Sequence, residues 1–239
     1  MGKLKILASG DSPQAQAQTR GKLFEKFMAE VLQELGYEID RIPNINYAGM
    51  EIDIEGKSTA TRVPLYAECK YYETNIDSPK LQAFFGKYMT RWLKDNKSQG
   101  LFIAIPGINP HAKGFYKDYI ENDSGITFRV LEEDDVLEVL FKSKIIAQPE
   151  TIAKNIPTNI GSPGDWFLIY TDKGKFWIQY IISEGKGIPD KIAVFDAMGS
   201  PISDRATIDY LIQLYPEIDD FGIITIENTT MLQTPSVHK

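Results

Sequence analysis

Between Thr19 and Phe141 the spacing of the apolar residues switches repeatedly from three and four to two and back, so helices and strands must alternate there. Phe24, Phe27, Met28, Val31 and Leu35 recur at helical steps, and Gly36 is a natural stop. Met50–Lys57 and Val63–Tyr72 alternate apolar with polar residues, as half-buried strands do. Ser78-Pro79 reads as an N-cap followed by proline at the first helical position. That helix is expected to run to about Asn96 with Leu81, Phe84, Phe85, Tyr88 and Trp92 inward. A wholly apolar strand at Leu101–Ile105, ended by Pro106-Gly107, precedes a helix at Ala112–Ile120, a strand at Ile126–Leu131 and a helix at Glu133–Phe141. Such an order predicts an α/β sandwich, a central mixed sheet flanked by helices, over residues 19–142.

The flanking segments read differently. Residues 8–18 are small and polar, and residues 1–18 are expected as a flexible leader. Residues 143–164 contain Pro149, Pro157, Gly161, Pro163 and Gly164 and read as a linker. A small α+β unit is expected over residues 165–228. Its strands lie at Trp166–Thr171, Phe176–Ile182, Lys191–Asp196 and Phe221–Ile226, with a helix at Asp204–Tyr215. Residues 229–239 form a polar tail of the kind that leads into further domains in a longer protein.

Composition excludes several classes. Of 239 residues only one is Cys and two, His111 and His238, are His, which leaves no material for a disulfide framework or a Cys/His zinc centre. No apolar run reaches the roughly 18 residues needed to span a bilayer. The first seven residues are too briefly apolar for a secretory signal, so the cytoplasm is the expected compartment. No G-x-x-x-x-G-K-[ST] loop is present, so nucleotide hydrolysis by this chain is not expected. The net charge is −7, but unevenly spread: residues 1–145 hold 19 Lys+Arg against 21 Asp+Glu, and residues 146–239 hold 7 against 12. Nucleic-acid contact is therefore expected to be local and confined to the first part.

The chemistry-bearing stretch is Asp53 on the first strand, then Glu68-Cys69-Lys70 on the second. Alternation turns Leu65, Ala67 and Cys69 to the core and leaves Tyr66, Glu68 and Lys70 on the other face, with Ile52 and Ile54 buried and Asp53 opposite them. Pairing the two strands brings two carboxylates and an ammonium together. Asp53 and Glu68 are hard oxygen ligands suited to Mg²⁺, and such a centre favours phosphodiester hydrolysis. Glu51, Asp53 and Glu55 also alternate as on any solvated strand face, and Glu-x-Lys is common on exposed strands, so spacing alone leaves both readings open.

With Gly21-Lys22-Leu23-Phe24-Glu25 on the first helix, Gly36-Tyr37-Glu38 after it, Asp53, then Glu68-Cys69-Lys70 fourteen intervening residues later, and Leu81-Gln82-Ala83-Phe84-Phe85-Gly86 on the next helix, the chain resembles the restriction-endonuclease-like PD-(D/E)xK nucleases, Mrr-like branch, over about residues 19–130. No proline precedes Asp53, and Gln82 lacks a tyrosine four residues on, which separates the chain from the RecB-type branch. The resemblance implies Asp53, Glu68 and Lys70 as catalytic positions, the Cys69 carbonyl as a further metal ligand, and Mg²⁺ as cofactor with Mn²⁺ as a substitute. It gives Glu25 a supporting role at the metal, against the alternative of an exposed helix glutamate.

It also implies DNA as substrate, a homodimer or larger assembly, a sensor or ATPase module as partner, and a role in restriction or anti-phage defence. A non-catalytic DNA- or partner-binding scaffold and a junction resolvase or transposase-like nuclease are the competing readings. Lys80, Lys87, Arg91 and Lys94 fall at steps of seven, four and three and are expected as one basic stripe on DNA phosphates, with Gln82 beside them; a solvated face of an amphipathic helix has the same look.

Overall fold

The computed structural model describes residues 3–41, 52–122 and 125–226. The first long helix, α1 (Pro13–Glu34), starts six residues before Thr19, because Ser12 caps it, its Oγ accepting the Ala15 N–H at 3.2 Å, and Pro13 occupies the first turn. The Gln/Ala run after that cap is made of helix formers that need no buried face. From Phe24 onward the helix buries Phe27, Met28, Val31 and Leu32. It ends at Gly36, whose φ of +86° is the left-handed conformation a helix stop needs.

That helix lies against a five-stranded sheet in the order β2 (Tyr37–Arg41), β3 (Ile54–Ser58), β4 (Pro64–Tyr71), β5 (Gln99–Ile105), β6 (Thr127–Leu131). The β2–β3–β4 part is antiparallel and β4–β5–β6 is parallel, so the sheet is mixed as expected. The parallel steps need crossovers. The helix α2 (Ser78–Trp92) supplies the first, and α3 (Pro110–Tyr116), continued by a wider turn over Lys117–Glu121, lies in the second. Both faces are covered. Leu65, Ala67, Cys69 and Ile103 pack with α1 and α4 (Glu133–Lys142), whereas Phe102 and Ala104 pack with Leu81, Phe84 and Tyr88 of α2.

A second five-stranded sheet has the order β1 (Lys3–Ile6), β7 (Ser162–Thr171), β8 (Gly174–Ile182), β9 (Lys191–Asp196), β10 (Gly222–Ile224). Its outer face carries α6 (Arg205–Leu214), with Ile208 and Leu211 buried. The expected leader thus contains a strand, and the expectation that residues 1–18 are flexible gives way. Lys3–Ile6 pairs in parallel with Phe167–Tyr170, and Leu4 and Ile6 are buried. The expected linker likewise contains α5 (Pro149–Lys154) and the start of β7. Ile146, Ile152 and Ile156 join a core that also contains Phe24, Phe27, Leu140, Leu168 and Trp177, so the two sheets share one apolar interior.

Three smaller corrections bear on the site. The strand β3 begins at Ile54, and Ile52 falls into the core under α2 while Ile54 falls into the core under α1, so the two do not share a face. The cap of α2 is Asp77, one residue before Ser78. Its helix ends at Trp92, which leaves Lys94 beyond it. The start of the expected Met50–Lys57 strand and the polar tail lie outside the described residues.

Candidate metal centre

Strand β4 carries the chemistry because its two faces are both covered. Cys69 faces the α1 side, and Glu68 on the opposite side is drawn under α2 until only 6% of it is exposed. A carboxylate in such a place needs compensation, since an isolated buried charge is strongly disfavoured. Lys70 Nζ lies 2.8 Å from Glu68 Oε1 and 3.2 Å from Asp53 Oδ2, and Lys87 Nζ, from α2, stands 3.6 Å from Glu68 Oε1. The three motif residues therefore meet, although Asp53 stands just before β3 and Glu68 lies on β4.

Asp53 reaches this point through the bend that opens β3. Pairing of β3 with β4 starts at Ile54 opposite Ala67. Carried one step further, the register would set Asp53 opposite Glu68. The backbone has already turned away, so Asp53 completes the ladder with its side chain: Oδ2 accepts the Cys69 N–H at 2.8 Å. One oxygen is thereby held against β4 from the end of a separating strand pair.

The electrostatics follow from crowding. Burial, and then the neighbouring Asp53 charge, raise the carboxyl pKa of Glu68 against the opposing pull of Lys70 and Lys87. Burial alone would lower the Lys70 ammonium, but the charges and hydrogen bonds of Asp53 and Glu68 outweigh it and raise its pKa. The two carboxylates accordingly favour the ammonium form of Lys70. Burial pushes the Cys69 thiol well up, with Asp53 and Glu25 adding to the effect, which favours its protonated form.

Glu25 lies on α1 and lines a cleft of about 690 Å³ together with Cys69 and Lys70. The basic stripe does not hold together as one row. Lys80 pairs with Asp77 at 3.0 Å, Lys87 turns toward Glu68, Arg91 reaches Glu55 at 3.3 Å and lies over the Tyr66 ring, and Lys94 is exposed past the helix end. Gln82 donates back to Ser78 Oγ at 2.8 Å and is exposed. Sequence reasoning placed Lys87 among phosphate contacts and missed its place beside Glu68. The available signal was its position next to buried Tyr88, on the rim of the apolar face.

These residues fit a divalent ion. Glu68 Oε2 is buried and has no hydrogen-bond partner among the described residues, which leaves it open to a cation. No group of three or more His, Cys, Asp or Glu side chains suited to a metal occurs among the described residues. Two carboxylates suffice for Mg²⁺, which keeps waters and shares phosphate oxygens. Asp53 and Glu68 would hold the ion, with the Cys69 carbonyl as the remaining candidate on the same strand.

Residues 17–128 match the family model described as restriction endonuclease, the Mrr catalytic domain. This segment is a PD-(D/E)xK, Mrr-like restriction-endonuclease domain, with helices flanking a mixed sheet. Domains of this kind generally use divalent metals, and a nuclease domain implies a DNA substrate. No curated protein matches the sequence. One solved structure, described as a protein of unknown function, AF1548, is similar at 16% identity and a TM-score of 0.38, over 56% of this chain and 75% of that one. No helix among the described residues is long and apolar enough to cross a membrane.

Proposed function

We propose, starting from the restriction-endonuclease domain at residues 17–128, that the chain is a Mg²⁺-dependent DNA endonuclease. The observation that carries this reading is the convergence of Asp53, Glu68 and Lys70, with one Glu68 oxygen buried and unpaired. Asp53 and Glu68 bind the ion, and Mn²⁺ serves in its place. When bound, such an ion supplies Lewis acidity toward the phosphodiester and its attacking water.

The chain's own groups divide the remaining work. Lys70, held as an ammonium by both carboxylates, donates toward the negative charge that develops on the phosphoryl oxygens. Lys87 keeps a second cation within 3.6 Å of Glu68 and tempers the repulsion between the carboxylates. Glu25 faces the incoming strand from the other wall of the cleft and orders water there. Lys80 and Gln82 in the first turns of α2, Arg91 in its last turn and Lys94 past its end lie to either side of Lys87, where they meet flanking phosphates. Family resemblance adds a role in restriction or anti-phage defence, in the cytoplasm, as a homo-oligomer joined by a sensor or ATPase module.

A second reading has one observation in its favour. Lys70 pairs with both carboxylates, so the chain's own ammonium compensates them, as it would in a scaffold that keeps a nuclease fold for binding alone. Plasmid incubation with Mg²⁺ or Mn²⁺ separates the two. The nuclease reading expects nicked or linear DNA from the wild type and at least a hundredfold less from Asp53→Ala and Lys70→Ala. Cleavage surviving both substitutions places the activity elsewhere, and intact plasmid in every condition favours the scaffold. Branched substrates run in parallel address junction resolution.

A further inference from the structure

Two residues beyond Lys70, the ring of Tyr72 stands in the open at the mouth of the catalytic cleft. It is 46% exposed. Its backbone is fixed, because the Tyr72 N–H donates to the Ile105 carbonyl at 2.9 Å and extends the β4–β5 pairing by one bond. The ring thus projects from a fixed point of the backbone. On a strand, alternate residues share a face, so Tyr72 follows Lys70 by about 7 Å along the same side.

Two clefts meet at this ring. The first, about 690 Å³, contains Glu25 and Lys70; the second, about 630 Å³, runs along β1 past Lys3 and Lys5. Arg20, Tyr71, Tyr72 and Glu73 line both. Each cleft is of a size that takes one drug- or nucleotide-sized ligand. Cations flank the ring: Lys80 Nζ lies 5.3 Å from its centroid, and Arg20 sits across the cleft, 4.0 Å from the highly exposed Glu73 carboxylate. A pairing that loose and that exposed contributes little and yields readily to a phosphate.

We infer that Tyr72 is a stacking platform for a nucleobase next to the scissile phosphate, with Arg20 and Lys80 on the flanking phosphates, so that the DNA strand leaves the metal centre along β1. The inference rests on the nuclease reading and deepens it: the strand entering the site is unstacked and read by its π-face, without base specificity. Base stacking on an aromatic side chain works beside a positively charged groove, and Tyr72 is 46% exposed with Lys80 and Arg20 close by.

The experiment is a binding measurement free of divalent metal, so that cleavage does not enter. A fluorescein-labelled single-stranded 20-mer is titrated by anisotropy against wild type, Tyr72→Ala, Tyr72→Phe and Tyr72→Trp. A second 20-mer with 2-aminopurine walked along it reports quenching. Tyr72→Ala is expected to weaken binding by between about fivefold and a hundredfold, the range that base–aromatic stacking supplies, and to lose quenching at one position. Phe and Trp at position 72 are expected to retain both. Alanine binding within twofold of wild type, or a Phe variant as weak as Ala, overturns the platform while leaving plasmid cleavage by the wild type to stand on its own. Wild type that fails to bind the 20-mer overturns the platform, and only an uncut plasmid in the separate assay removes the nuclease reading as well. Because the side chain is exposed, melting curves of all four proteins should coincide.

Discussion

Glu68 is the residue at which folding and function oppose each other. It is buried beside Asp53, and its pKa is raised above the ordinary 4.5 by burial first and the second carboxylate next. A raised acid favours its protonated form in the folded state. Its contribution to stability is fully present below pH 4.5 and is lost as pH rises through the higher folded value. Ionised Glu68 therefore works against the metal-free fold at neutral pH. Replacing it by Gln, which is isosteric with the protonated acid, should raise the metal-free Tm at pH 7.5 by a few degrees, the scale on which about 1 kcal/mol shows in a chain of this size. At pH 4 the two proteins should melt together, and cleavage by the variant should be lost at every pH. Calorimetry at the two pH values checks the sign.

The same residue carries a prediction about the cofactor. A divalent ion that binds the folded chain and not the unfolded one stabilises it in proportion to the logarithm of its concentration over Kd. Mg²⁺ at a hundred times Kd should add about 2.7 kcal/mol to the wild type at pH 7.5. The gain should shrink on acidification as Glu68 takes up its proton, and it should be absent from Glu68→Gln and Asp53→Ala. Melting in a Mg²⁺ titration reads this directly. Equal Mg²⁺ stabilisation in wild type and both variants would move the ion away from this pair.

At the scale of elements, the site depends on how closely α2 approaches the sheet, and Gly100 sets that distance. A Cβ on Gly100 would lie 2.6 Å from the Phe128 ring and 3.0 Å from Tyr88, both buried under α2. Tyr88 also donates its hydroxyl to the Ser98 and Thr127 carbonyls, tying α2 to β5 and β6. Gly100→Ala should force that ring cluster apart at a cost of about 1–3 kcal/mol. It should also lift Lys87 from Glu68, so nicking should fall beyond what lost stability explains. A denaturant curve and a cleavage rate measured on the same preparation distinguish the two effects.

What the sequence could reveal also sorts by element. Strand β4 was legible because its alternation is complete, with Leu65, Ala67 and Cys69 on one side and Glu68 and Lys70 on the other. Strand β1 was not, because Lys3–Ile6 is only four residues long and its partner, Phe167–Tyr170, lies far along the chain. The helix α5 starts at Pro149, and a proline among other prolines and glycines has the look of a linker. Asp53 and Lys70 could be brought together from strand pairing, whereas the separate cores of Ile52 and Ile54 could not, since the bend at Asp53 leaves no local mark.

For the whole molecule, the shared interior decides how the chain unfolds. Phe27 of α1 packs its ring 4.7 Å from Tyr170 of β7, and the Tyr170 hydroxyl donates to Glu30 at 2.8 Å. Phe141 of α4 stacks on Trp177 of β8 at 6.1 Å and 13°. The Leu4 N–H reaches Glu133, and the Ile6 N–H reaches the hydroxyl of Tyr71, next to Lys70. Strand β1 therefore belongs to the second sheet by pairing and to the nuclease core by packing. Removing it should strip apolar cover from both. Deletion of residues 1–8 should cost more stability than Ile6→Ala, itself about 2–5 kcal/mol for a fully buried isoleucine. Melting followed by tryptophan fluorescence, which reports Trp166 and Trp177 in the second sheet together with Trp92 on α2, should coincide with melting followed by far-UV circular dichroism. Two separated transitions would mean that the sheets unfold independently and that the second sheet can be cut away with the catalytic centre left standing.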